Sequence, residues 1–287
     1  MKKISFFLGI LICLFTLGCS KQSTVEFKSL KDAYFDIAQK TEVKPLKFIE
    51  LTEMLSNYSY EELVDGNQKI YTFLNENEEL IVSEPKDNDE GRITDIVYTK
   101  HNSLDSLSIA CNLSSDGSDT LMSYLILNTF NIDLFKNISA TLSDEQSKMF
   151  DYYMNISEQM LEDKPMTITE IKDYINLEPT LQESGTDGNY YSFQDTTSGD
   201  ILGFHATSTS ETINQMVYKS NVTGILNNAT IVNNSVMFSI STEGDTLSIQ
   251  KEVMSLFDKQ LNIPFFKAAS RLLFLYKLRL SRENFFY

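Results

Sequence analysis

Tryptophan is absent from this 287-residue chain, and histidine (2), cysteine (3), proline (5) and glycine (11) are scarce. Each shortage excludes something. Two His and one Cys outside the N-terminal segment cannot build a Cys/His zinc site or a disulfide framework. There is no phosphate-cradling glycine loop, and no Gly-x-Ser-x-Gly, Ser-x-x-Lys or His-Glu-x-x-His motif. Positive charge is short as well. Against 40 Asp+Glu stand 24 Lys+Arg, a formal net charge of −16 that repels phosphate backbones and argues against a nucleic-acid partner. What is plentiful is apolar mass. The chain is 42% hydrophobic, with 19 Phe and 14 Tyr, enough to build a folded core.

The N-terminus reads as a processing segment. Lys2 and Lys3 precede an apolar run from Ile4 to Leu17, too short to span a bilayer at about 1.5 Å per residue. The run ends in Thr16-Leu17-Gly18-Cys19. This resembles the signal peptide of bacterial lipoproteins, in which a small residue precedes the cysteine that is lipidated; Thr16 stands where that family usually has Leu. The resemblance implies cleavage after Gly18, acylation of Cys19, and a membrane-anchored, extracytoplasmic protein of the cell envelope. Ser20-Lys21-Gln22-Ser23-Thr24 suits a polar tether.

Residues 44–100 match residues 164–220 of the same chain at an offset of 120, and the match resumes at a slightly longer offset from Asp116 and Glu243. Lys44-Pro45 pairs with Lys164-Pro165, Tyr71 and Phe73 with Tyr191 and Phe193, and Val97-Tyr98 with Val217-Tyr218. Each copy opens with a helix. In the first, Leu30, Ala33, Tyr34, Ile37 and Ala38 recur at helical spacing; in the second, near 144–162, Met149, Tyr152, Tyr153, Ile156 and Met160 do so, with Ser143 and Gln146 as a capping box. Short helices follow near 47–57 and 167–176. Strands are expected near 69–74, 79–84, 93–100 and 105–114, and then near 189–194, 200–206, 213–220, 223–232 and 235–241. Gly117 and Asp119, like Gly244 and Asp245, read as a turn and N-cap before closing helices near 120–135 and 246–260. The expected fold class is α+β: two tandem repeats, each an antiparallel sheet of about four strands with helices on one face. The organisation is then a signal peptide (1–18), a lipidated tether (19–28), repeat 1 (29–142), repeat 2 (143–262) and a tail (263–287). Tandem helix-plus-sheet units in an exported protein are similar in architecture to beta-lactamase-inhibitor-like and envelope-assembly lipoprotein domains. That similarity carries over no functional residue.

No catalytic, cofactor-binding or metal-binding residue emerges, so the only site residue is the lipidation site Cys19. Cys111 alternates with Leu107, Ile109 and Leu113 at period two, which reads as a buried core thiol. The acidic stretch from Glu84 to Gly91 lacks EF-hand spacing and reads as a solvated hairpin tip. His101 and His205 lie in no nucleophile motif. The Tyr71/Phe73 and Tyr191/Phe193 pairs read as core, whereas Tyr58, Tyr60 and Tyr190 suit exposed contacts.

The tail differs from the body. Residues 263–287 carry five basic residues against Glu283, whereas 19–262 carry 17 basic and 39 acidic residues. Phe265, Phe266, Leu272, Leu273, Tyr276 and Leu280 share one face of a helix that could lie on an anionic membrane or dock on the acidic body, unless the tail is read in an altered frame. The functional expectation is a non-enzymatic binding module for another protein or peptide, basic if charge complementarity guides it. The alternatives are an envelope hydrolase using scattered carboxylates, or a purely structural envelope protein. Mass spectrometry of the native product is expected to find an acylated Cys19 as its first residue, and Cys19→Ala to release the protein from membranes.

Overall fold

A computed structural model describes residues 27–261, apart from 45, 88–90, 103, 114–120, 143–146, 163, 209–210 and 245–246. Cys19, the signal segment and the tail 263–287 lie outside the described residues. The elements run α1 (Leu30–Val43), α2 (Phe48–Met54), β1 (Tyr60–Asp65), β2 (Gln68–Asn75), β3 (Glu78–Pro85), β4 (Asp95–Asn102), β5 (Asp105–Leu113), β6 (Leu121–Thr129) and α3 (Ile132–Leu142). They continue with α4 (Lys148–Leu161), α5 (Ile168–Ile175), β7 (Leu181–Ser184), β8 (Gly188–Gln194), β9 (Ile201–Thr207), β10 (Ile213–Lys219), β11 (Leu226–Val232), β12 (Ser235–Glu243) and α6 (Leu247–Leu261).

All twelve strands form one antiparallel sheet in the order β1-β2-β3-β4-β5-β6-β12-β11-β10-β9-β8-β7. This overturns the expectation of two tandem repeats with separate sheets of about four strands. The order of two helices, six strands and a helix does occur twice along the chain, but both meanders are joined where β6 pairs with β12, from Phe238 opposite Thr129 to Glu243 opposite Tyr124. Left unpaired, β6 and β12 would each expose a row of backbone donors and acceptors beside the apolar side chains Leu125, Leu127, Phe238 and Ile240. Pairing removes both edges at once. At about 4.8 Å per strand the sheet is about 50 Å wide, with β1 and β7 as its two ends.

One face of the sheet carries the core. The row Phe73, Leu80, Tyr98, Ile109 and Leu125 crosses β2 to β6, and Ile240, Tyr218, Leu202 and Phe193 lie on the same face in β12, β10, β9 and β8. All nine are buried. Every described helix touches this face. Phe48 of α2 stacks on Tyr71 at 3.5 Å, Phe135 of α3 packs on Phe238, and Phe150 and Tyr153 of α4 pack on Tyr218. Lys172 of α5 lies over the Tyr191 ring. Tyr34 of α1 and Gln250 of α6 meet above β5, where the Tyr34 hydroxyl lies 3.1 Å from Cys111 Sγ and donates to Gln250 Oε1 at 2.8 Å. Gln250 in turn donates to the carbonyls of Ala110 and Tyr124. Cys111 is therefore a buried core thiol.

Local corrections have physical reasons. The region expected as a closing helix near 120–135 is strand β6 followed by α3. Because β6 lies in the middle of the sheet, Leu125 and Leu127 point to the core while Met122 and Ile126 point the other way. Apolar residues on both faces imitate a helical run. Edge strands β1 and β7 escape period-two detection because every residue in both is exposed. Helix α4 is capped by Ser147, whose hydroxyl accepts from Phe150 N at 3.3 Å, and Ser143 and Gln146 lie outside the described residues. Helix α5 has a Thr167/Glu170 capping box, and the two hydrogen bonds from Thr167 hold the Glu170 carboxyl below its ordinary range.

If β6 and β12 make one cooperative sheet, core truncation beside the seam must weaken the whole molecule. Leu127→Ala and Ile240→Ala are each expected to cost about 3 kcal/mol and to shift a single urea transition seen identically by circular dichroism and tyrosine fluorescence. Two separate transitions would contradict the continuous sheet.

Candidate functional site: the bare face of the sheet

The opposite face has no described element packed on it. One ladder of directly opposed residues runs Glu61, Thr72, Ile81, Val97, Ala110, Tyr124 and Glu243. Near the seam the next rows place Ser108, Ile126, Ser241 and Leu226 together, then Ser106, Asn128, Ser239 and Asn228. Short hydroxyl and amide side chains alternating with β-branched ones make a shallow surface that is polar and apolar in fine grain.

Charge on this face is one-sided. The register assigns it Glu61, Asp65, Glu79, Asp95, Glu183 and Glu243, against Lys219 and the imidazoles of His101 and His205. Pairing through most of the sheet puts basic side chains elsewhere: Lys69, Lys31 and Lys100 are engaged on the helix side. Lys69 Nζ donates to Glu84 at 3.2 Å, and Lys31 and Lys100 each donate to Asp258 at 2.7 Å. These partners are structural carboxylates. Burial would raise the Asp258 carboxyl, but the hydrogen bonds from Lys100 and Lys31 outweigh it and hold the group below its ordinary value. Asp200 is likewise lowered, burial being outweighed by bonds from Ser147, Asn221 N and Tyr218.

The residues singled out by sequence fall in different places. Glu84 is not part of a solvated tip: it is buried, accepting from the Tyr71 hydroxyl at 2.8 Å as well as from Lys69, and 88–90 lie outside the described residues. Tyr71, Phe73, Tyr191 and Phe193 are core, as their spacing predicts. Tyr60 and Tyr190 are exposed, whereas Tyr58 is half-buried against the core. His101 is exposed at the end of β4, 3.9 Å from Glu79. His205 is buried on the bare face, its Nδ1 2.6 Å from Asn214 Oδ1 and its ring centroid 4.5 Å from that of Tyr190. Its Nε2 lies 3.8 Å from Asp187, which accepts from the Tyr190 hydroxyl at 3.0 Å. Among the described residues Nε2 has no hydrogen-bond partner. Sequence reasoning missed Asp187, Asp200, Gln250 and Asp258. Apart from the Asp187–Tyr190 and Asp200–Ser198 bonds, the partners of their side chains lie 18 or more residues away in the chain, and no local pattern announces them.

Among the described residues no group of His, Cys, Asp or Glu is arranged to hold a metal, and no helix is long and apolar enough to cross a membrane. A groove of about 630 Å³ at the strand ends near the seam is lined, among the described residues, by apolar, amide and hydroxyl side chains without a carboxylate. The chain matches no protein-family model, no curated protein and no solved structure.

The lowered carboxyl of Asp258 carries a sign. A depressed acid stabilises the fold above its unfolded value near 3.9, and the contribution is lost as pH falls through the folded value. Asp258→Asn is expected to lose about 1–2 kcal/mol at pH 7, and its difference from the parent chain to shrink as pH falls from the unfolded value through the folded one, measured by urea unfolding across a series of acidic pH values.

Proposed function

We propose that the chain is an exported, lipid-anchored envelope protein that holds a basic protein or peptide partner on the bare face of its sheet, with no chemistry of its own. The observation that carries this reading is the combination of a wide sheet face left uncovered by the described elements and six carboxylates on it against one lysine. A sheet that covers one face with helices and leaves the other to water normally makes the second face polar throughout. Here Met122, Ile126 and Leu226 remain exposed in its middle. An apolar centre within an acidic surround suits a partner with an apolar contact and a cationic rim. The anchor at Cys19 supplies the location and depends on the lipoprotein resemblance. The carboxylates supply attraction over about 8 Å at physiological ionic strength.

The test is capture from envelope extract by the parent chain and by a variant with Glu61→Gln, Glu79→Gln, Glu183→Gln and Glu243→Gln. These side chains lie on the bare face, so the fold should survive. One stoichiometric basic protein is expected on the parent chain, with affinity falling as salt rises, and at least about tenfold weaker binding to the variant. Capture that is indifferent to both salt and substitution would refute the assignment of this face.

A further inference from the structure

The groove lies at the strand ends toward which the last described helix runs. Its walls include Leu104 from the β4–β5 turn, Phe130 ahead of α3, Met160 and Leu161 from the last turn of α4, and Val232 and Val236 from the β11–β12 hairpin. Leu104 and Leu161 are 41% and 39% exposed, so the lining is apolar and open to water. Helix α6 runs toward this end. It starts after β12 has reached Glu243, and near its C-terminus Asp258 holds Lys100 of β4, close to the β4–β5 turn. It also packs along α3, whose first turn follows Phe130. Packed helices lie about 8–10 Å apart, and three extended residues span about 10 Å. Asn262, Ile263 and Pro264 are therefore enough to cross the start of α3, with Pro264 ending any continuation of α6.

We propose that the occupant of this groove is the chain's own segment 263–287, with Phe265 and Phe266 entering first. Three observations support that occupant. The segment starts within reach of the groove. Its apolar side chains match a lining without charge. Its five basic residues against one acid are complementary to the body, where 39 acidic residues outnumber 17 basic ones. The inference is independent of the partner assigned to the bare face, because none of the six carboxylates on which that assignment rests lines the groove.

The absence of tryptophan makes a clean probe available. Phe266→Trp in the full chain places the sole indole in the proposed seat. Its emission is expected to be that of a buried indole and to move to that of an exposed one when Leu104→Glu and Leu161→Glu are added. Both of these positions are exposed, so the fold should hold, as circular dichroism would verify; Leu161→Glu alone serves if the pair does not fold. Trypsin cleavage after Lys267 and Arg271 should in parallel speed up at least about tenfold in the groove variant. Emission and cleavage that ignore the groove substitutions, or protection that arises only when anionic vesicles are added, would overturn the proposal; the vesicle result would assign the segment to a lipid surface.

Discussion

Everything in this molecule depends on the pairing of β6 with β12. These are the last strands of two six-stranded meanders, and each has a core-facing row that needs covering. Joining them edge to edge satisfies both backbones and lets α3 lie across the junction, where it touches β6 and β12 together. Helices α3 and α6 then pack on one another, so the helical layer is continuous as well. Across it, the Ser139 hydroxyl of α3 donates to Asn227 of β11, and Gln250 of α6 bonds to β5 and β6. A buried amide or hydroxyl is tolerable only when its partners are in place, so these bonds specify one alignment of the layer on the sheet.

The same pairing creates the candidate site. Placing all described helices on one side concentrates the apolar side chains there and leaves a surface about 50 Å wide on the other. The acidic surplus of the chain then has to be distributed over water-facing positions, and the pairing of the lysines with Glu84 and Asp258 on the helix side leaves the bare face with carboxylates in excess. The electrostatic character of the face is thus a consequence of which charges the helix layer consumes.

Much of the local structure is legible in the residue order. The spacing of Leu30, Ala33, Tyr34, Ile37 and Ala38 describes α1, and all five side chains are buried. The alternation of Leu107, Ile109 and Cys111 describes the core face of β5. The edge strands β1 and β7 are not legible, because a strand exposed on both faces has no alternation to detect. Strand β6 misleads for the opposite reason, having apolar residues on both faces. Glu84 misleads because its neighbours are acidic, while the Tyr71 and Lys69 groups that draw it inward come from the adjacent strand.

By itself the sequence determined the core faces of α1, β2, β5 and β8, since these follow from periodicities of two and 3.6 residues that each segment expresses alone. It also determined the acidity of the body and the basic, apolar character of 263–287. Only the tertiary structure decided that there is one sheet and not two, because edge pairing is made by backbone groups that every residue carries and that leave no mark in side-chain order. It decided the polar junctions too. Asp258 meets Lys31 and Lys100 across 227 and 158 residues, a proximity that exists only after the helices have been laid on the completed sheet.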